Sequence, residues 1–141
     1  LVKPGALSAL NVPIDLTKVE TPSFIQAGRE DHIAPAESVW KIRDHFRGPL
    51  EFLLAGSGHI AGVVNPPAQM KYQYWTNATP VSSLEEFVAG AAETKGSWWP
   101  YWHEWLERFG AERIAADGAR VPGGGKLPAI EDAPGSYVKT R

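Results

Sequence analysis

The sequence predicts an α/β fold in which two parallel strands are joined by a crossover helix and are followed by further helices and an irregular tail. Two short apolar runs flank a segment whose apolar residues have helical spacing. A capping motif and a tryptophan pattern then indicate two more helices. Glycine and proline are frequent from residue 117 to the end, which disfavours regular structure there.

The strand–helix–strand unit is predicted over residues 23–55. Residues 23–27 and 50–55 are near-continuous apolar runs of strand length, which is typical of strands buried on both faces. Between them, Val39, Ile42 and Phe46 follow the spacing of an amphipathic helix. A right-handed crossover brings the carboxyl ends of the two strands to one edge of the sheet.

Two further helices are predicted downstream. Ser83 and Glu86 form a capping box, and the helix that it starts is expected to end at Gly96. A second helix is expected to end at Gly110 and to face the core with a stripe of aromatic residues at steps of four, three and four: Trp98, Trp102, Trp105 and Phe109. We therefore expect residues 1–116 to belong to one folded domain and residues 117–141 to form an irregular tail.

Composition excludes several classes of function. The net charge is −2 with both signs interspersed, which argues against a nucleic-acid or anionic-membrane footprint. No run of 18 apolar residues is present that would indicate a membrane span. The chain has no cysteine, which excludes disulfides, thiolate metal sites and a cysteine nucleophile within it. Because it has no disulfides, we expect a cytoplasmic location. Because the first residue is Leu1, we expect a piece of a longer protein.

Asp31 and His59 are the candidate catalytic residues. Each follows one of the two predicted strands, and adjacent parallel strands would bring them together. A carboxylate that holds an imidazole is two thirds of a nucleophile–acid–histidine triad. Ser57 lacks the two flanking glycines of a nucleophile elbow, so the nucleophile is expected upstream and the chain alone is expected to be inactive.

Other motifs carry less weight. Residues 56–62 have the glycines of a dinucleotide-binding turn, but the third is one residue late and prolines follow. His103 and Glu104 begin like a zinc-protease helix without its second histidine. His32 adjoins Asp31 and is an open candidate for substrate contact. We expect no metal and no resident cofactor.

The sequence resembles the C-terminal part of class I polyhydroxyalkanoate synthases. Five blocks carry the resemblance in the family's order: residues 29–33 (REDHI), 56–67 (GSGHIAGVVNPP), 75–77 (WTN), 96–100 (GSWWP) and 133–139 (APGSYVK). The resemblance implies the C-terminal portion of an α/β-hydrolase fold, with residues 1–116 as the C-terminal part of its catalytic domain. It also implies an acyltransferase that polymerises (R)-3-hydroxyacyl-CoA into polyester and releases coenzyme A, which is part of the substrate.

In that family a cysteine in a lipase-like elbow holds the growing chain. By resemblance His59 is the general base that activates the thiol, and Asp31 either orients His59 or assists the substrate hydroxyl. A homodimer and association with cytoplasmic polyester granules are also implied. Another esterase or lipase on the same fold, and a non-catalytic module that docks to granules or partners, are the alternatives.

The strand–helix–strand unit also predicts how the isolated chain behaves. Two strands with one crossover cannot cover both faces of a parallel sheet, and an open edge invites association. We therefore expect the isolated chain to be poorly folded or to aggregate.

Overall fold

A computed structural model describes residues 1–140 of the chain, which divide into two units, Leu1–Arg108 and the segment from Phe109 onward. The strands and α-helices all lie in the first unit. The strands are β1 (Ser8–Ala9), β2 (Val12–Pro13), β3 (Ser23–Gly28), β4 (Leu50–Ala55), β5 (Gln73–Thr76) and β6 (Ala92–Lys95). The helices are α1 (Ala36–Trp40), α2 (Leu84–Ala89) and α3 (Trp99–Glu107).

The main sheet is mixed and has the strand order β3-β4-β5-β6. β3 and β4 are parallel, with Ser23 opposite Leu50 and Gly28 opposite Ala55. β5 is antiparallel to β4, and β6 is antiparallel to β5. The predicted strands at 23–27 and 50–55, their parallel pairing and the helix between them are confirmed. The crossover helix is short, since α1 has 5 residues and continues as a 3-10 helix over Lys41–Asp44.

The predicted helix from Ser83 to Gly96 is wrong in its second half. α2 ends at Ala89, and the Gly90 N–H donates to the Glu86 carbonyl at its end. Residues 92–95 form the strand β6 instead, because pairing with β5 satisfies their backbone groups. β5 itself was not predicted, although its Tyr74, Trp75 and Thr76 are residues that favour strands.

Helices cover both faces of the main sheet. On one face, α1 and α2 pack against β4 and β5 in a cluster that includes Trp40, Phe52, Leu54, Trp75 and Phe87. On the other face, the start of α3 packs through partly buried aromatic side chains against a smaller buried cluster: Leu53, Ala55 and Tyr74. The expectation that one face lies uncovered is wrong, because it took no account of α3.

The tryptophan stripe of α3 is only partly directed at the core, in contrast to the prediction. Trp98 stacks on Phe24, with ring centroids 6.2 Å apart, and Trp105 lies 5.5 Å from the same ring. Trp102 keeps 39% of its surface exposed. α3 thus presents part of its aromatic surface to solvent.

The second unit is mainly irregular and contains two 3-10 helices, Gly118–Arg120 and Ser136–Lys139. The predicted boundary at residue 116 stays a prediction. In the part of the chain that the structure describes, no helix has the length and apolar content needed to cross a membrane.

Candidate active site

The Asp31 and His59 side chains meet at the edge of the sheet where β3 and β4 end. His59 Nδ1 lies 2.8 Å from Asp31 Oδ2. Asp31 is in the turn after β3, and His59 is in the loop after β4. The two candidate residues are therefore brought into direct contact, as parallel pairing of the two strands requires.

The turn that holds Asp31 is fixed by backbone hydrogen bonds. Asp31 Oδ1 accepts the backbone N–H groups of Ile33 at 2.8 Å and Ala34 at 2.9 Å. The backbone N–H of Arg29 donates to the Ala55 carbonyl at 2.8 Å, and that of Glu30 donates to the Ser57 carbonyl at 3.2 Å. The turn after β3 and the loop after β4 are thus bonded to each other through their main chains as well as through the candidate pair.

Hydrogen bonding sets the ionisation of Asp31. The backbone N–H of Ala34 has the largest effect on the pKa of Asp31 and lowers it; desolvation opposes this, and the His59 ring and the Ile33 N–H lower the pKa further, from 3.8 to about 2 in all. The side chain of Asp31 is 7% exposed, whereas that of His59 is 45% exposed. Asp31 is consequently a carboxylate at any pH near neutral.

The ionised carboxylate defines the tautomer of neutral His59. A carboxylate only accepts hydrogen bonds, so His59 Nδ1 must carry the proton that lies between it and Asp31. The second ring nitrogen, Nε2, then has a free lone pair. The arrangement leaves Nε2 as the atom that can take a proton from a nucleophile, with Asp31 facing the positive charge that would form.

The loop that carries His59 follows an unusual backbone path. Ser57 has φ +76°, in the left-handed region that non-glycine residues seldom adopt. A Cβ atom on Gly62 would lie 2.3 Å from the Gly56 carbonyl oxygen, so that position accepts only glycine without a shift. The glycine-rich sequence around His59 is therefore explained by close main-chain packing, as well as by freedom of the turn.

Two tryptophans that were not predicted to belong to the site contact this loop. Trp98 Nε1 donates to the Gly62 carbonyl and Trp99 Nε1 to the Val63 carbonyl, each at 3.0 Å. Buried Asn65 extends the contact, since its Nδ2 donates to the Lys71 carbonyl at 2.8 Å. A single sequence carries no signal for such contacts, because the acceptors are backbone carbonyls that any residue provides.

A second aromatic contact lies beside the turn after β3. The guanidinium of Arg29 lies 4.6 Å from the centroid of the Trp75 ring. Trp75 Nε1 in turn donates to Glu93 Oε2 at 3.0 Å. A cation over an indole ring is attracted to its face. This contact joins the turn after β3 to β5 and β6.

The remaining histidines named from the sequence do not bond to the pair. His32 is exposed beside Asp31. His103 lies on α3, where its Nδ1 is 3.7 Å from Glu107 Oε1. Residues 1–140 contain no group of three or more His, Cys, Asp or Glu side chains placed to hold a metal ion.

Comparison with known proteins gives relatives over nearly the whole chain. It is 51% identical over 128 residues to the poly(3-hydroxyalkanoate) polymerase subunit PhaC of Rhizobium meliloti. It is 50% identical over 138 residues to the poly(3-hydroxyalkanoate) polymerase of Methylorubrum extorquens and 43% identical over 139 residues to the subunit PhaC of Cupriavidus necator. The chain is homologous to poly(3-hydroxyalkanoate) polymerases. The resemblance seen in the motifs is confirmed.

The polymerase homology covers the chain far more fully than it covers the relatives. The matches span 91%, 97% and 98% of this chain but only 20%, 22% and 23% of the three polymerases, in that order. The chain thus spans about a fifth of their length and corresponds to a C-terminal fragment of them. No protein-family model matches the chain.

Proposed function

We propose that the chain provides the acid and the base of a poly(3-hydroxyalkanoate) polymerase active site, within the C-terminal portion of an α/β-hydrolase fold. The 2.8 Å contact between Asp31 Oδ2 and His59 Nδ1 carries the proposal, together with the homology to polymerases. A cysteine outside this chain is the nucleophile, since residues 1–141 contain none.

In the proposed reaction His59 Nε2 takes the proton of the cysteine thiol. The thiolate attacks the carbonyl carbon of a (R)-3-hydroxyacyl-CoA thioester, the bond from that carbon to the sulfur of coenzyme A breaks, and the leaving thiolate takes the proton back from the imidazolium. For elongation, the 3-hydroxyl oxygen of one unit attacks the thioester carbonyl carbon of another and gives its proton to Nε2. The bond from that carbon to its thioester sulfur then breaks, and the sulfur leaves as a thiolate that takes the proton from the imidazolium. A free thiol is only a few per cent ionised near neutral pH, so the base accelerates the first step.

Asp31 acts by orienting His59 in this proposal. Its Oδ2 is paired with His59, and its Oδ1 accepts two backbone N–H groups. Those bonds hold the pKa of Asp31 at about 2, which makes the carboxylate a weak base toward a substrate hydroxyl. The alternative, in which Asp31 deprotonates the hydroxyl directly, would require it to give up these bonds.

The chain alone is inactive in this proposal, because it lacks the thiol. The acyl-CoA substrate, the growing polyester, the granule surface and a homodimer are partners of the whole polymerase and are proposed for it through the homology. No metal and no resident cofactor takes part, since coenzyme A enters and leaves with the substrate.

The test uses the full-length protein with 3-hydroxybutyryl-CoA and, separately, with an aryl ester, while release of free thiol or phenol is followed. We expect thiol release from the CoA ester and a loss of about 10³-fold or more in His59→Ala. His103→Ala is the matched control, since His103 lies on α3 and bonds elsewhere. Hydrolysis of the aryl ester alone would indicate an esterase on the same fold, and full activity of His59→Ala would refute the proposed site.

A further inference from the structure

The loop after β4 is bonded to the start of α3. The indole N–H groups of Trp98 and Trp99 donate to two consecutive backbone carbonyls of this loop, those of Gly62 and Val63. Both bonds measure 3.0 Å. Consecutive donors on one segment and consecutive acceptors on the other fix both the position and the direction of the loop.

The sheet brings these two tryptophans to the loop. β6 ends at Lys95, which lies opposite Gln73, the first residue of β5. The Gly56 N–H, from the loop after β4, donates to the Gln73 carbonyl at 2.7 Å. The Gly96 N–H then donates to the Tyr72 carbonyl at 2.9 Å. Ser97, which is buried, accepts the Trp99 N–H through its Oγ at 3.1 Å. The backbone before α3 is thereby fixed at the same edge as His59.

The contact reaches His59 through the loop's own hydrogen bonds. The Gly62 N–H donates to the Gly58 carbonyl at 3.3 Å, and the Val63 N–H donates to the Ile60 carbonyl at 3.1 Å. The first bond spans His59 and the second reaches the residue directly after it, so the main chain on both sides of His59 is connected to the two residues whose carbonyls accept from the indoles. A displacement of Gly62 and Val63 would therefore move the imidazole.

His59 has few other restraints. Its side chain is 45% exposed, and among residues 1–140 Asp31 is the one side chain that its ring bonds to. The position of Nε2 toward an incoming nucleophile consequently depends on the path of the loop. A misplacement of about 1 Å in a reacting group can cost about a hundredfold in rate.

We propose that Trp98 and Trp99 are positioning residues for His59, acting through their indole N–H groups on the loop of residues 56–65. The inference rests on the proposed polymerase function, in which His59 is the base. It assigns the two indoles a role in the chemical step that goes beyond packing of α3 on the sheet.

The test compares Trp98→Phe, Trp99→Phe and the double variant in the full-length polymerase. Phenylalanine keeps an aromatic ring, including the stack of residue 98 on Phe24, but removes the N–H donor. We expect kcat to fall about tenfold in each single variant and about a hundredfold in the double variant, while KM for the acyl-CoA changes less than about twofold.

Trp102→Phe is the matched control. Trp102 lies on the same helix and its ring contacts that of Trp98 at 5.8 Å, but its indole makes no hydrogen bond among the described residues. We expect its kcat to stay within about twofold of the wild type. An unchanged kcat in the double variant, or an equal loss in Trp102→Phe, would overturn the inference.

A double-mutant cycle separates positioning from a structural role. In a His59→Ala background the residual rate should be unchanged by Trp98→Phe or Trp99→Phe, because no base remains to be positioned. A general loss of folded enzyme would lower the rate by the same factor in both backgrounds and would contradict the inference. If the double variant is insoluble, the single variants decide by the same comparison.

One further readout does not depend on turnover. In protein labelled with ¹⁵N-histidine, the Nδ1–H resonance of His59 reports its hydrogen bond to Asp31. We expect this resonance to shift or broaden in Trp98→Phe and Trp99→Phe and to stay in place in Trp102→Phe. If His59→Ala retains full activity, the proposed function fails, and an unmoved resonance in the tryptophan variants would separately overturn the positioning role.

Discussion

Asp31 uses both carboxylate oxygens, and most of its acidity comes from the main chain. The largest cause of its lowered pKa is the backbone N–H of Ala34, ahead of the His59 ring. Because three donors hold the ionised form, the charge of Asp31 does not depend on His59 alone.

The first prediction concerns this titration. In the folded protein we expect a ¹³C carboxyl titration of Asp31 with a pKa of about 2, and we expect His59→Ala to leave it below 3.8 because the backbone donors remain. The pKa of Asp31 is lower in the folded protein than in the unfolded chain. The stabilising contribution of its carboxylate to the free energy of unfolding is therefore complete above about pH 4 and is lost as the pH falls through about 2. Asp31→Asn should remove this part of the pH dependence. A return to 3.8 in His59→Ala would contradict the assignment of the main cause.

The second prediction concerns Gly62. An alanine Cβ at this position would lie 2.3 Å from the Gly56 carbonyl oxygen, so the loop of His59 must shift. We expect Gly62→Ala to lower the free energy of unfolding by about 1–3 kcal/mol, measured by urea denaturation. Gly110→Ala is the control, since no atom lies within 4 Å of its added Cβ, and it should change stability by less than about 0.5 kcal/mol.

Among the elements, α2 is short, but it fills the core on one face of the sheet. Phe87 is 2% exposed, and its ring lies 5.6 Å from that of Trp40 and 5.1 Å from that of Phe52. Ser83 caps the helix by accepting the Glu86 N–H at 3.1 Å, which is one half of the predicted capping box. In the other half, the Glu86 carboxylate accepts the N–H of Ser82 at 2.9 Å and not that of Ser83. Most of the stability of so short a helix comes from tertiary packing.

The third prediction tests that packing. Phe87→Ala is expected to lower the free energy of unfolding by about 3–5 kcal/mol, because it leaves a cavity among aromatic rings. The neighbouring Val88 is 43% exposed on the same helix, so Val88→Ala should cost less than about 0.5 kcal/mol. Chemical denaturation of both variants measures the difference. Equal losses in the free energy of unfolding would show that Phe87 does not anchor α2 in the core.

The elements differ in how far their sequence foretells them. β3 and β4 are predictable because burial on both faces makes each an apolar run bounded by glycine. β6 cannot be predicted from the sequence, because all its side chains are exposed and only its backbone pairing with β5 makes it a strand. A local pattern also could not show that Gly90, and not Gly96, ends α2.

The candidate site also has one part that the sequence predicts and one part that it does not. Contact between Asp31 and His59 follows from two parallel strands that end together, so spacing and residue type suffice to predict it. The hydrogen bonds of Trp98 and Trp99 join backbone carbonyls 36 residues away through a strand that the sequence does not predict. The helical spacing of Trp98 indicated only packing in the core, and no role was predicted for Trp99.

For the whole molecule, the two edges of the main sheet are unlike. β6 is short and exposes Glu93 and Lys95, which oppose pairing with another strand. β3 is longer and carries the apolar residues Phe24, Ile25 and Ala27, and β4 pairs with one side of it only. Among the described residues no strand pairs with the outer edge of β3, and this unpaired edge, not an uncovered face, is therefore the feature that favours association.

The fourth prediction is that the isolated chain of residues 1–141 self-associates or is poorly folded. We expect sedimentation coefficients that rise with concentration and a broad thermal transition by circular dichroism, since an apolar edge strand offers unpaired N–H and C=O groups to a second copy. A monodisperse monomer that melts cooperatively would contradict it.

The direction of β5 has a consequence for how the sequence can diverge. Past Thr76 the chain leaves the edge that holds Asp31 and His59, and it returns only along β6. Insertions and deletions in the intervening surface turn, at residues 78–80, would alter neither the chemistry nor the loop that carries the imidazole. Homologues should therefore vary in length at this turn while residues 56–65 keep theirs.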